Sequence, residues 1–263
     1  MTGRGAMLQF DDETARRIEA SYLTPDMVEQ RRAVRRLVGP EPGERVLDIG
    51  SGPGFLVHEM AADVGPGGRV EGVDPSESML AIAGARQAAA GAAAVGLHPG
   101  DALALPFPDG TFDAITCTQV MEYVTDVPAA LAEARRVLRP GGRLLILDTD
   151  WDAIAWHSAD PARMGRVLDA WTEHLADPHL PRRLPRYLRE AGFTLAGCEA
   201  LAIVNLRGDG GNFGSGVIPL IAGFVAGRRG VSAAEAEAWA ADLVGRTDDY
   251  FFSLNRYLFL ATR

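Results

Sequence analysis

An α/β chain organised around a parallel sheet is what this sequence predicts, and three observations carry the prediction. Short apolar runs of five to seven residues recur between positions 45 and 148. Helical stretches separate them, near 55–63, 76–90 and 127–138. The first run ends in a turn with three glycines that opens directly into a helix. Strands covered on both faces read as continuous apolar runs, and parallel neighbours need a crossover, usually a helix.

Taken in order, Arg45-Val-Leu-Asp-Ile-Gly50 is the first strand and Arg69-Val-Glu-Gly-Val-Asp74 the second. Residues Ala94–His98 form a weaker third, Phe112–Cys117 a fourth and Gly142–Asp148 a fifth. Right-handed crossovers then fix most of the order. The rhythm changes after residue 150. Residues 158–176 read as helix, and Pro185–Ala191 as another, closed by Gly192. Thr194–Asn205 reads as a strand. Residues 206–231 carry Gly208, Gly210, Gly211, Gly214 and Gly216 around a short apolar helix. Ser232 and Glu235 have capping-box spacing for a helix reaching about Val244. Tyr250–Thr262 reads as the last strand, at or near an edge. No linker or repeat divides the chain. The expected organisation is one domain over 1–263, with an N-terminal helical lid (1–38), a core (39–150) and insertions at 151–185 and 206–249.

Composition narrows the function classes. Hydrophobic residues make up 47% and charged residues 23% of 263, an ordinary folded balance that excludes disordered and collagen-like chains. Glycine is abundant, at 30 residues, so backbone-built binding loops are expected. Twenty-six basic against 35 acidic residues give a net charge of −9, which disfavours a nucleic-acid partner. No apolar run approaches a membrane span, so no membrane partner is expected. The first residues lack the apolar core of a secretory signal, and the expected compartment is the cytoplasm. Cys117 and Cys198 make neither a disulfide framework nor a zinc motif, and no metal is expected.

The segment Val46-Leu-Asp-Ile-Gly-Ser-Gly-Pro-Gly-Phe55 is the most informative. Glycines let a ligand press against the backbone, and the helix start presents free N–H groups. Asp74 ends the second strand 20 residues beyond Gly54, where a carboxylate can accept from ribose hydroxyls. The dinucleotide fingerprint G-x-G-x-x-G would place its third glycine at Phe55. That departure argues against a nicotinamide cofactor.

Asp48-Ile-Gly-Ser-Gly-Pro-Gly54 resembles motif I of the class I S-adenosylmethionine (SAM)-dependent methyltransferases. Gly100-Asp-Ala102 with Leu105-Pro-Phe-Pro108 looks like the segment that caps the adenine. Phe112-Asp-Ala-Ile-Thr looks like strand four, and Leu138-Arg-Pro-Gly-Gly-Arg-Leu144 like the turn before strand five. The resemblance covers residues 45–148 and is nearest to the UbiE-like small-molecule group. It implies a Rossmann-like seven-stranded sheet of order 3-2-1-4-5-7-6, strand 7 antiparallel, with helices on both faces and a C-terminal helical insertion. It implies SAM as cofactor, bound by Tyr22, Asp48, Gly50, Ser51, Gly52, Gly54, Asp74, Pro75, Met79, Asp101, Ala102 and Gln119. Tyr22, with Phe10 before it, would belong to a helix closing over the cofactor. Arg31, Arg32, Arg35 and Arg36 read as a solvated face of that helix.

Methyl transfer from a sulfonium is an in-line displacement and needs a base only when the nucleophile starts protonated. Glu122, Tyr123, Trp151 and Trp156 follow strands four and five and are the expected substrate-binding residues, with His157 as a base. Each has a plainer reading, as core tryptophans or a surface histidine. His58, His98, His174 and His179 carry no partner pattern. The Asn/Asp-Pro-Pro-Tyr/Phe signature of nucleic-acid and glutamine methyltransferases is replaced by Thr118-Gln-Val-Met121. Arsenite methyltransferases need a cysteine set that is missing here. The expected function is methyl transfer to O, N or activated C of a small organic acceptor, by a chain that could form a homodimer through its insertions. The alternatives are a SAM-binding protein without turnover and an NAD-dependent reductase.

Overall fold

The strand that starts the glycine turn lies at the centre of the sheet, as its burial requires. A computed structural model describes residues 19, 21–90, 95–246 and 248–263. In chain order, α1 spans Pro25–Val38, β1 Arg45–Ile49, α2 Phe55–Val64, β2 Arg69–Asp74, α3 Glu77–Ala90, β3 Val95–Pro99 and β4 Phe112–Thr118. Then come α4 (Val127–Val137), β5 (Leu138–Thr149), β6 (Ala155–Trp156), α5 (Pro161–Trp171) and α6 (Leu180–Glu190). The chain finishes with β7 (Thr194–Asn205), α7 (Phe213–Gly216), α8 (Ile218–Val225), α9 (Ala233–Val244) and β8 (Phe252–Thr262). Among the described residues, no helix is long and apolar enough to cross a membrane.

The strands pair in the order β3-β2-β1-β4-β5-β8, all parallel up to β5, with β8 antiparallel to β5. β8 also pairs with β7 along its whole length and with the two-residue β6. With β8 as the seventh strand of the expected scheme and β7 as the sixth, the order 3-2-1-4-5-7-6 is recovered, and β6 is an addition. It follows β5 after a short 3₁₀ turn, Trp151–Ala153.

Alternation along each strand builds two apolar layers. Leu47, Ile115, Leu144 and Ile146 face α4 and α6, whose Leu131, Leu184 and Leu188 are fully buried. Val46, Val70, Ala114, Leu145 and Leu147 face α1 and α2, through Val34, Val57 and Met60. A third cluster joins Trp151, Trp156, Trp171 and Trp239 from the C-terminal elements, with Phe252 and Leu254 of β8.

Local signals worked at most ends. Asp126, Asp160 and Ser232 cap α4, α5 and α9 through their side chains. The expected capping box is only half formed: Glu235 N–H donates to Ser232 Oγ at 3.1 Å, but the Glu235 carboxylate turns to Arg166. Helix α6 begins five residues before the expected Pro185, because Pro181 sits in its first turn, where no N–H is needed. The arginine run on α1 is not a uniformly solvated face. Arg31 is buried and paired with Glu59, and Arg35 with Asp63, both on α2. The charge pattern hid an interhelical seam.

Candidate active site

The glycine turn is stitched to the end of β2. Gly50 and Ser51 N–H groups both donate to Val73 O, at 2.7 and 3.0 Å. Gly50, Gly52 and Gly54 have φ of +70°, +52° and +78°, the left-handed region that L side chains disfavour. Their roles divide. A Cβ on Gly50 would collide with Val120, and one on Gly54 would stand 2.7 Å from Ala83 Cβ. These two are packing glycines. A Cβ on Gly52 would meet only Tyr22 Oη, at 3.8 Å, so Gly52 is the one that opens onto ligand space. No side chain caps the start of α2, which leaves its first amides unclaimed by side chains.

Asp74 is fixed at the opposite wall. Its Oδ2 accepts from Gly52 N–H at 2.8 Å and its Oδ1 from Ser76 N–H at 2.9 Å. Burial raises its pKa. Each oxygen keeps a lone pair, so the carboxylate can still accept from two ribose hydroxyls. Pro75 is exposed beside it and Met79 is buried. Asp48 lies below the turn, almost fully buried, accepting from Thr116 Oγ1 at 2.7 Å, and burial lifts it to about 7. Ser51 Oγ is buried without a partner.

Asp101 is exposed, and its Oδ1 accepts from Leu103 N–H at 2.7 Å, while Ala102 is buried. The turn after them is clamped from α4. Glu133 accepts from Leu105 N–H at 2.9 Å, and Arg136 donates to Leu105 O and Phe107 O. This clamp has no sequence signature beyond two charges on a helix.

Gln119 directly follows β4 with φ +56°, a conformation uncommon outside glycine. Its N–H donates to Leu147 O at 2.6 Å, which holds the bend. Tyr22 stacks on Phe55 at 5.9 Å with nearly parallel rings, and its hydroxyl faces the Gly52 turn. Burial pushes this phenol up to about 12. Phe10 lies outside the described residues.

The acceptor-side residues are placed differently from their sequence reading. Glu122 is fully buried. Its Oε2 accepts from Thr149 N–H at 3.1 Å and Trp151 Nε1 at 3.2 Å, while its Oε1 has no partner. Burial lifts it to about 7. Trp151 and Trp156 both lie in the third apolar cluster, and Trp156 donates to Tyr250 Oη at 3.3 Å. His157 is 55% exposed, stands 3.4 Å from Asp249 and donates its backbone N–H to Phe251 O, just before β8 and away from the expected role of a base. Tyr123 is partly buried and meets the His174 ring edge-on at 5.9 Å.

Two residues were not singled out by sequence. His174 is buried with its Nε2 unpartnered, and burial lowers its pKa to about 4, so it is neutral. Arg256 on β8 is fully buried, and nothing in its sequence surroundings marks it. Asp150, Asp152 and His179 converge within 4.8 Å, but Arg182 donates to both carboxylates.

The comparisons with known proteins agree with this geometry. A family model described as a methyltransferase domain matches residues 47–146. The demethylmenaquinone methyltransferase of Symbiobacterium thermophilum is 36% identical over 174 residues, which is 58% of this chain and 69% of that protein. The ubiquinone/menaquinone biosynthesis C-methyltransferase UbiE of Paracoccus denitrificans is 44% identical over 120 residues, 45% of this chain and 47% of that one. The chain spans about half the length of most curated relatives it matches. A crystal structure of a SAM dependent methyltransferase from Aquifex aeolicus shares the fold, with a TM-score of 0.57 at 18% identity over 95% of this chain and 99% of that one. The matched segment contains the glycine turn, Asp74, Asp101 and Gln119, and the chain belongs to the class I SAM-dependent methyltransferases, in their UbiE-like group.

Proposed function

We propose that the chain transfers the methyl group of SAM to an oxygen, nitrogen or activated carbon of a small organic acceptor. The observation that carries this reading is the open Cα face of Gly52, whose amide is held by Asp74 beneath the Tyr22 hydroxyl. When bound, SAM supplies a methyl group on a sulfonium for in-line displacement. The chain's part is binding and orientation. Asp74 keeps lone pairs for the ribose hydroxyls, and Gly52 leaves the room a side chain would fill. Ala102 and the clamped Leu105–Pro108 turn would form a wall for the adenine, and Asp101 would accept from its amine. Tyr22 lies over the turn and excludes water there. The insertions 151–185 and 206–249, together with α1, form an apolar cover over the acceptor. The quinone-precursor relatives favour a flat, hydrophobic acceptor.

A second reading, a SAM-binding protein without turnover, is favoured by one observation. Trp151 and Trp156 have their polar atoms committed to internal partners, and Glu122 one of its two oxygens. One experiment separates the two: incubation with methyl-tritiated SAM and a panel of phenols, hydroquinones, enols and amines, followed by extraction of labelled product. Transfer to at least one class, lost in Asp74→Ala, is the expected result. SAM binding without transfer to any class would favour the second reading.

A further inference from the structure

Arg256 is the best-placed charged group that the cofactor assignment leaves unused. It lies on β8 opposite Thr149, the last residue of β5, and therefore at the edge that carries Gly50, Asp74 and Gln119. Its side chain is completely buried. Nη1 donates to Gln30 Oε1 and lies 3.1 Å from Met27 Sδ, both on α1. The guanidinium sits over the Phe213 ring at 4.5 Å, and Nε has no partner. Three acids act on it through space, Glu122, Asp26 and Asp148, and Glu122 Oε1 and both Asp148 oxygens carry no side-chain partner, yet none of the three contacts it. Asp26 accepts from Asn205 and from Phe213 N–H, and Glu122 Oε2 from Thr149 and Trp151. Among the described residues, no carboxylate forms an ion pair with Arg256.

A buried guanidinium with no carboxylate in direct contact is costly, and its fork of donors suits a carboxylate or another oxyanion. Burial lowers the Arg256 pKa only to about 10, so the charge persists at neutral pH. Its charge also acts on the Tyr22 phenol, whose hydroxyl overlooks Gly52. The guanidinium thus stands between α1 and β8, close enough to act on the phenol that overlooks the open glycine.

We propose that Arg256 receives an oxyanion of a bound ligand, a carboxylate or phenolate, at the junction of α1, β8 and the glycine turn. This rests on the SAM reading of that turn. The oxyanion has two possible sources: the amino-acid end of the cofactor, or an acidic group on the acceptor.

The test uses Arg256→Met and Arg256→Lys beside the wild type. Each is titrated with S-adenosylhomocysteine and with 5′-methylthioadenosine, which lacks the amino-acid end. Each is also titrated with 4-hydroxybenzoate and its uncharged partner 4-hydroxybenzamide, with and without saturating S-adenosylhomocysteine. Thermal melts run alongside. Replacing a desolvated charge by an apolar group of similar shape leaves ligand-free Arg256→Met melting no lower than wild type, whereas a purely structural arginine would lower it. Affinity for the anionic ligand falls roughly tenfold or more in Arg256→Met, and less in Arg256→Lys, which keeps the charge without the fork. A loss confined to S-adenosylhomocysteine, with methylthioadenosine unchanged, identifies the cofactor carboxylate. Unchanged S-adenosylhomocysteine affinity, with a wild-type preference for the benzoate that disappears in the variant, identifies the acceptor. The proposal is overturned if Arg256→Met binds every probe as wild type does, including the case where wild type shows no preference for the acid. If Arg256→Met does not fold, Arg256→Lys is read by the same criteria. Wild type that fails to bind S-adenosylhomocysteine contradicts the SAM reading instead, and the acid–amide comparison on ligand-free protein still decides Arg256.

Discussion

The two halves of the ligand edge are built by different means. On the cofactor half, position is set by the backbone: three glycines in left-handed conformations, amides stitched to Val73, and Asp74 held by the Gly52 and Ser76 N–H groups. On the half proposed for the acceptor, position is set by side-chain packing: Trp156 between Trp239 and Phe252, and Trp151 against Trp171 and His174. Backbone conformation is written into glycine spacing. Packing partners are written nowhere local. The first half therefore keeps the Gly52 face and spare lone pairs on Asp74 for a ligand, while the second spends most of its polar groups on itself.

If that contrast is right, Trp156→Ala damages the fold and not the cofactor site. Truncating a buried tryptophan costs about 3–5 kcal/mol. Denaturant unfolding reports the loss, and titration with S-adenosylhomocysteine below the transition gives wild-type affinity per folded molecule. A tryptophan that lined the acceptor pocket without supporting the core would show the reverse. Asp74→Ala works on the other half. It removes the carboxylate proposed to accept from two ribose hydroxyls, and affinity for S-adenosylhomocysteine per folded molecule drops on the order of 100-fold, while the Gly52 and Ser76 N–H groups left unpaired cost about 1–3 kcal/mol of stability.

Glu122 sharpens the comparison because it lies where the halves meet. Its ordinary value is 4.5, and burial lifts it to about 7 in the folded chain. The folded state therefore holds a proton that the unfolded state gives up across that window. Its contribution makes stability fall as pH rises from about 4.5 to 7, by on the order of 2–3 kcal/mol. Glu122→Gln keeps an oxygen for Thr149 and Trp151 and removes this share of the fall, leaving that of Asp48. Melting curves of the two proteins across that range should converge in acid and separate above neutrality. Parallel curves would show that Glu122 does not hold the proton.

The glycines offer a finer contrast. Gly54→Ala pushes a Cβ to 2.7 Å from Ala83 Cβ and loses stability, whereas Gly52→Ala meets nothing closer than 3.8 Å and loses cofactor affinity instead. Both carry the left-handed penalty, roughly 1–2 kcal/mol. The smallest effect belongs to His157→Ala. An exposed histidine beside Asp249 changes stability by less than about 0.5 kcal/mol. Turnover stays at the wild-type rate unless the histidine reaches the acceptor.

Most of the fold was legible because the apolar runs, glycines and caps are local signals. The strand order followed from the family resemblance and reappears with β6 added. The glycine turn and Asp74 were legible for the same reason, since each needs a residue type at a fixed place on the backbone; the bend at Gln119 was not, because glutamine carries no signal for a positive φ. The acceptor half was not. Trp151 as donor to Glu122, Trp156 as donor to Tyr250, and Arg31 and Arg35 as an interhelical seam all depend on residues 28 or more positions away. Arg256 was illegible for a further reason. A single arginine in an apolar strand looks like an edge position until its neighbours are known.

The claim that the Gly50–Gly54 turn and Asp74 form a SAM site is tested most directly by calorimetric titration. Wild type and Asp74→Ala are titrated with S-adenosylhomocysteine, with NAD as a control. The account predicts one site on the wild type, a large loss of affinity in Asp74→Ala, and no heat of binding with NAD. Equal affinity in both proteins, or NAD binding at the same site, would contradict it.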